Sequence, residues 1–418
     1  MGTVAFLRNY HIAKYLSKYF DSADLITIKN ISIPLSDKIP NDFINEHRVL
    51  NFDYRNLGNL ISSKKNNLRN KTNAKSNSRK VRFIRIILDS FPVNTIFGEG
   101  GLLYIINGTL RGIRLVRNKK ITHIYSSFRP VADHIIAYNL KLFFPDLNWT
   151  ADFRDPPVVK SRNAGLFYKL QWWFLYKLLS KSNQVIAVSD GVSGPIKMAY
   201  PNTKTIKNGI YDLFKQEKSK YDKFTLSFTG SLYPVLQNPA ILFAVLKTLL
   251  DKNTISKDDF QLIYTGKDAG IWNEMIREYS LEDISINRRE VSLQESIQIQ
   301  GKSHINLIFT WSDDHRKGIL TGKLYEYLNT GNPIFAFVNG DTDTEFERIF
   351  DNINAGYVFY NNDKEKIENQ ISELYSQWKN KGKIDFSYNE NEIRKYSWEN
   401  RTKQLMDLIF NPNQNDEK

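Results

Sequence analysis

The chain has 418 residues, no cysteine, and 58 Lys and Arg against 45 Asp and Glu, a formal net charge of +13. That length suits two α/β cores of about 200 residues each rather than one. The lack of cysteine excludes a disulfide framework, a thiolate metal site and a cysteine nucleophile, while the charge favours polyanionic partners: nucleic acid, anionic headgroups or nucleotide phosphates.

No apolar run reaches the roughly 18 to 20 residues of a membrane span. Arg8, His11, Lys14 and Lys18 break the apolar pattern of Met1–Tyr19, unlike a signal peptide. A cytoplasmic protein is expected. A first strand is expected at Ala23–Ile28. From Lys64 to Arg82 the cations Lys64, Lys65, Arg69, Lys71, Lys75, Arg79, Lys80 and Arg82 have no acid or aromatic residue among them. Base stacking calls for aromatics, so nucleic acid is not expected as a partner. A basic loop on an anionic membrane surface needs only charge, which would set the protein peripherally on the inner face of the plasma membrane. A solvated loop with no partner is the alternative. Gly98-x-Gly100-Gly101 lacks the spacing and strand context of a dinucleotide loop.

Strands are expected next at Ile121–Tyr125, Trp149–Phe153 and Gln184–Val188, with helices at Pro130–Phe144 and Gly165–Ser180. Ser126-Ser127-Phe128-Arg129-Pro130 ends one strand and opens a helix. Trp149-Thr150-Ala151-Asp152-Phe153-Arg154-Asp155-Pro156-Pro157 ends another in two carboxylates around an arginine. Either aspartate suits a base that takes a proton from an acceptor hydroxyl; the competing reading is that Arg154 pairs with both and stiffens the loop. Tyr200–Tyr221 breaks the pattern and marks a boundary.

The second half alternates strands (Phe224–Phe228, Gln261–Thr265, Ser285–Val291, Ile305–Thr310, Ile334–Val338, Gly356–Tyr360) with helices (Pro239–Leu250, Ile271–Tyr279, Leu293–Ile299, Gly322–Asn329, Lys364–Lys379). That is the pattern of a doubly wound parallel sheet. A last helix, Glu392–Ile409, has no strand after it. Ligands bind such sheets beyond the carboxyl ends of the strands. Gly230, at one strand end, allows close backbone approach to a phosphate, and Ser231 supplies a hydroxyl; a simple tight turn is the alternative. Thr321 caps the next candidate helix, leaving the amides of Gly322 and Lys323 unpaired. Lys323 suits a diphosphate and Glu326, three residues on, two vicinal ribose hydroxyls; an ordinary surface Lys–Glu pair is the bland reading. Ser292 opens a third helix and suits a nucleotide base. Asp341-Thr342-Asp343 reads as a helix cap rather than a metal ligand pair, and the histidines show no metal spacing.

Taken together, Gly2–Leu16, Ser126–His134, Ala151–Pro156, Val188-Ser189, Asn208-Gly209, Thr229–Ser231, Thr321–Leu328 and Tyr396–Trp398 resemble bacterial family-4 glycosyltransferases of polysaccharide assembly. The resemblance implies two Rossmann-like domains facing across a cleft, the glycosyltransferase-B architecture, with a final helix crossing back to the first domain. The expected divisions are an acceptor-binding domain over 1–200, a linker over 201–223, a nucleotide-sugar-binding domain over 224–390, and the crossing helix and polar tail over 391–418.

It also implies a nucleoside diphosphate sugar as donor, bound by Gly230, Ser231, Thr321, Gly322, Lys323 and Glu326. A glycan or lipid-linked acceptor would meet Arg8, Ser127 and Arg129, with Asp155, or failing it Asp152, as the base. Lys323 and helix N-termini would offset the diphosphate charge, so neither metal nor further cofactor is expected. Two departures stand out. Gly318 takes the place of the first glutamate of the Glu-x7-Glu motif whose second member Glu326 matches. The relatives also open with a buried apolar strand ahead of the glycine loop, so either the recorded start is late or the first sheet lacks its central strand. The activity expected is sugar transfer in cell-surface polysaccharide synthesis. The alternatives are a catalytically silent nucleotide-sugar-binding scaffold and a sugar-nucleotide epimerase.

Overall fold

The computed structural model describes residues 4–29, 42–53, 91–98, 100–158, 165–210, 219–233, 235–314 and 317–410. The basic segment Lys64–Arg82 and the tail Asn411–Lys418 lie outside the described residues. The chain divides into two compact units. An N-terminal unit comprises Asn9–Lys207 with Thr402–Lys418, and a C-terminal unit comprises Met1–Arg8 with Asn208–Arg401.

Helix α1 (Val4–Leu16) leads from the C-terminal unit into the N-terminal one. There β1 (Asp24–Ile28) pairs in parallel with β2 (Asn45–Val49). After α2 (Val93–Phe97) and α3 (Gly101–Lys119) come β3 (His123–Phe128), α4 (Val131–Phe143), β4 (Asn148–Phe153), α5 (Gly165–Leu179), β5 (Gln184–Ala187), α6 (Asp190–Lys197) and β6 (Lys204–Thr205). Strands β3-β4-β5-β6 form one parallel sheet in that order, and β1-β2 form a separate one among the described residues. Both rest on one apolar cluster: Ile26, Ile28 and Val49 from the small sheet and Ile124 from the large one pack around Tyr104, Ile136 and Leu140. The strand at Asn45–Val49 and the long helix α3 are absent from the pattern-based reading; the other expected elements of this unit are present.

In the C-terminal unit six strands alternate with helices: β7 (Phe224–Thr229), α7 (Ala240–Asp251), β8 (Phe260–Thr265), α8 (Ala269–Glu278), β9 (Ser285–Asn287), α9 (Leu293–Lys302), β10 (Ile305–Ser312), α10 (Gly322–Leu328), β11 (Ile334–Gly340), α11 (Thr344–Ile353), β12 (Gly356–Phe359) and α12 (Lys364–Lys381). All pairings are parallel, in the order β12-β11-β10-β7-β8-β9. Every residue of β7 is buried, as expected of a strand covered on both faces. Asn238 Oδ1 accepts from the Ala240 N–H at 2.9 Å at the start of α7.

Two expected boundaries shift. The strand foreseen over Ser285–Val291 stops at Asn287, because Arg289 adopts φ +55 and its N–H donates to Asn287 Oδ1. The last helix is not continuous. It divides into α13 (Glu390–Arg394) and α14 (Trp398–Phe410). Between them Ser397 bridges to Ile210 as a parallel strand, and the Ile210 N–H donates to Tyr396 O at 2.8 Å. Backbone that pairs sideways cannot also complete a helical turn. From Thr402 onward α14 belongs to the N-terminal unit, where Phe410 packs on Phe20 and His123.

Candidate functional site

The chain runs from β7 to β8 and β9 on one side, then returns to lay β10, β11 and β12 on the other. The order therefore reverses between β7 and β10. At such a reversal the connections leave in opposite directions and open a crevice beyond the strands' carboxyl ends. The residues that border it are Gly230, directly after β7, and those of α10, which follows β10.

Gly230 has φ +148, and its backbone is fixed on both sides. Its N–H donates to Thr265 O at 2.7 Å, and its carbonyl accepts from the Tyr264 hydroxyl at 3.3 Å. Its lack of a side chain makes room for Lys323, since a Cβ would stand 2.9 Å from Lys323 Cε. Lys323 thus lies over the end of β7 and donates from Nζ to Glu326 Oε2 at 2.9 Å. With side-chain exposures of 26% for Lys323 and 6% for Glu326, this is not a solvated surface pair. Burial works against the Lys323 ammonium, but the Glu326 carboxylate outweighs it and raises the pKa.

Beneath the pair lies a buried polar network. The Tyr327 hydroxyl accepts from the Thr229 N–H at 3.1 Å, and burial raises its pKa. Gln300, on α9, donates from Nε2 to Thr229 Oγ1 at 2.8 Å and reaches Glu326 Oε2 at 3.2 Å.

One expectation about α10 is corrected. Thr321 does cap the helix, but its Oγ1 accepts from the Lys323 N–H at 3.3 Å. That amide is therefore not free for a phosphate, and the cationic character of the place rests on the ammonium of Lys323. Gly318 has φ +74, where a side chain is disfavoured, and its N–H donates to Asp343 Oδ2 at 2.9 Å. Asp343 Oδ1 meanwhile accepts from the Phe346 N–H and caps α11. Ser231 is half-buried. Ser292 accepts from the Glu295 N–H and borders a cavity of about 470 Å³ with Tyr221, Arg288 and Gln298.

In the N-terminal unit the expected residues do not gather. Asp152 is fully buried, and the Tyr125 hydroxyl donates to its Oδ2 at 2.5 Å. Ser127, opposite Asp152 in register, is 5% exposed, and among the described residues its hydroxyl has no partner. Asp155 and Arg129 are exposed. Arg154 donates to the carbonyls of Phe128 and Arg129 at 2.8 and 2.7 Å, tying the two strand ends together. Arg8, 1% exposed, counts with the C-terminal unit and donates to Asn208 Oδ1 at 3.0 Å.

Two titrating groups went unforeseen at the start of α4. Asp133 accepts from the Tyr104 hydroxyl at 2.8 Å, and burial pushes its carboxyl up to about 7. His134 pairs through Nδ1 with Ser126 Oγ at 2.7 Å, and burial pushes it down to about 3. Among the described residues no group of three His, Asp or Glu could hold a metal ion.

No protein-family model matches the chain, and no curated protein matches its sequence. Solved structures do match its fold over nearly the whole length. Sucrose-phosphate synthase from Thermosynechococcus elongatus is 12% identical, with 95% of this chain and 90% of that chain covered and a TM-score of 0.57. TarM is 12% identical, with 96% and 95% covered and a TM-score of 0.58. The N-terminal domain of Candida albicans trehalose-6-phosphate phosphatase is 10% identical, with 93% and 96% covered and a TM-score of 0.53. Together with the parallel sheets of both units, these likenesses show two Rossmann-like domains of the glycosyltransferase-B type. At such identities the likeness is one of fold.

Proposed function

We propose that the chain is a glycosyltransferase that moves a sugar from a nucleoside diphosphate donor to a glycan or lipid-linked acceptor in cell-surface polysaccharide synthesis. The observation that carries this reading is the Lys323–Glu326 pair laid over Gly230 where the strand order reverses. The ammonium suits the donor's diphosphate, the carboxylate suits a vicinal diol of its ribose, and Gly230 leaves the space in which Lys323 lies. Fold likeness to a sucrose-phosphate synthase supports the same class of chemistry.

In the reaction the bond from the sugar to the diphosphate breaks and a bond to the acceptor oxygen forms. The leaving diphosphate gathers negative charge, and Lys323 offsets it without a metal ion. Asp155 takes the acceptor proton, because its carboxylate is open to solvent while that of Asp152 is held by Tyr125. Arg129, just beyond β3, is the proposed acceptor contact, Ser127 being turned inward, and Ser231, Thr321 and Gly322 complete the donor side.

A membrane-borne acceptor agrees with the exposed face of α5. Lys169, Leu170, Trp173, Tyr176 and Lys177 lie there in the open, and the helix has no acidic residue. Aromatic and basic side chains on one helix face suit an anionic lipid interface. No helix among the described residues is long and apolar enough to cross a membrane, so the proposed contact is peripheral, at the inner face of the plasma membrane.

Screening nucleotide sugars for thermal stabilisation tests the donor assignment. Transfer assays in chelator, with Lys323→Ala, Glu326→Ala and Asp155→Asn, test the chemistry. Full activity in all three variants would defeat it. One observation favours a second reading, a silent nucleotide-sugar-binding protein. Gly318 provides no carboxylate where the resemblance has one, and its φ of +74 disfavours any side chain there. Tight donor binding with no transfer to any acceptor would select that reading.

A further inference from the structure

We propose that Gln300 is a positioning residue that holds the Glu326 carboxylate in place for a ribose and so sets the preference for ribonucleotide over deoxyribonucleotide donors. The inference rests on the donor reading above. Gln300 is fully buried on α9. Its Nε2 has two hydrogens and three oxygens within reach: Thr229 Oγ1 at 2.8 Å, Ser296 Oγ at 3.2 Å and Glu326 Oε2 at 3.2 Å. The two hydroxyls accept or donate, so either would tolerate the amide in both orientations. Only the carboxylate, an obligate acceptor, fixes the NH2 on its side. The result is that Gln300 Oε1 is buried and, among the described residues, has no hydrogen-bond partner, an unfavourable state for a carbonyl. The amide is thus oriented for Glu326 and not for its own satisfaction.

Both hydrogen bonds to this carboxylate converge on one oxygen. Lys323 Nζ and Gln300 Nε2 each reach Oε2, and among the described residues Oε1 accepts from neither. If Lys323 turns toward a diphosphate, Oε2 loses one of its two donors. Gln300 is neutral, buried and unable to follow the phosphate, so it keeps Oε2 anchored and Oε1 presented to the ribose hydroxyls. Without that anchor the carboxylate would be free to swing after Lys323.

The test measures binding of a nucleoside diphosphate and its 2′,3′-dideoxy analogue to the full chain by calorimetry. In the wild type the ribose form should bind more tightly. In Gln300→Met, close to the same shape, the ratio between the two should shrink by about tenfold, the size of one hydrogen bond to a charged group, through weaker binding of the ribose form alone. An unchanged ratio, or equal weakening of both ligands, would make Gln300 a merely structural residue and overturn the inference while leaving the donor reading intact. A wild-type chain that binds neither nucleotide overturns the donor reading and this inference together. Should Gln300→Met fail to fold, Gln300→Glu offers a second route. Its carboxyl donates to Glu326 when protonated and repels it when ionised, with Lys323 and Tyr327 the other titrating groups against it. Ribose preference in that variant should rise as pH falls, and a flat profile would count against the role of Gln300.

Discussion

The carboxyl ends of the two larger parallel sheets present the same kinds of residue and treat them in opposite ways. After β7 and β10, Lys323 and Glu326 meet within hydrogen-bond distance in the space that Gly230 leaves open. At the ends of β3 and β4, Asp152 and Ser127 turn inward within the strands while Asp155 and Arg129, beyond them, stay in the open. The difference follows from where each residue stands on its element. Lys323 and Glu326 are three apart on a helix, a spacing that brings side chains together. Asp152 lies within β4 and Asp155 beyond it, so one is committed to a face of the sheet and the other to the loop. A carboxylate near a strand end is therefore a weaker guide to a site than a pair at helical spacing over a glycine.

That contrast predicts where substitutions hurt most. Lys323→Ala removes the cation from the reversal point and leaves the Glu326 carboxylate, 6% exposed, without its ionic partner. Transfer is expected to fall about a hundredfold, the usual cost of one charge-stabilising donor, measured as initial rates at saturating acceptor. Asp152→Asn should instead lower the midpoint of urea unfolding and leave transfer by the surviving folded enzyme near the wild-type rate. A larger rate effect from Asp152→Asn than from Lys323→Ala would reverse the comparison.

Gly230→Ala should come next. The added methyl would meet Lys323 Cε at 2.9 Å, and the flexible end of the lysine can move aside, while the φ of +148, which a residue with a side chain rarely adopts, should lower stability as well. The displaced ammonium would no longer sit over β7, and donor affinity is expected to drop about tenfold. Calorimetric titration checks this, and an unchanged Kd would show that the position of Lys323 over Gly230 does not matter for the donor.

The α/β alternation was readable because fully buried parallel strands appear as short apolar runs with helical periods between them. Helix α3 was not, because Gly100, Gly101, Gly108 and Gly112 mimic a loop. Their reason is tertiary: a Cβ on Gly108 would stand 2.4 Å from Ile136 Cδ1, and one on Gly112 would stand 2.6 Å from Leu140 Cδ1. The glycines let α3 approach α4, which no local pattern reveals. The same division holds at the candidate site. Thr321, Lys323 and Glu326 are neighbours in sequence, so cap and spacing were visible. Gln300 meets Glu326 across 26 positions and Thr229 across 71, and glutamine on an amphipathic helix carries no signal of burial. Asp133 and His134 were hidden likewise, since their pKa shifts come from what surrounds them.

Those two groups give the smallest expected effect, a cancellation. Burial first, against the opposing influence of Tyr104 and Arg154, raises the Asp133 carboxyl from 3.8 to about 7. The folded chain therefore holds a proton there that the unfolded chain releases above about 4, and stability falls as pH rises through that window. Burial likewise lowers His134 from 6.5 to about 3. There the unfolded chain holds the extra proton, and stability rises with pH over nearly the same window. Between about pH 4 and 6.5 the two proton differences are equal and opposite, so their joint contribution to the unfolding free energy should be almost independent of pH, while His304, which burial lowers to about 4, adds a rise of its own. Asp133→Asn would steepen the rise of stability with pH by up to about 1.4 kcal/mol per pH unit relative to the wild type until 6.5. His134→Gln would lower the slope by a similar amount relative to the wild type, again until about pH 6.5. Urea unfolding of both variants across this range reads the two slopes directly. Parallel slopes in the two would mean that one of the groups is not buried in the ionisation state assigned to it.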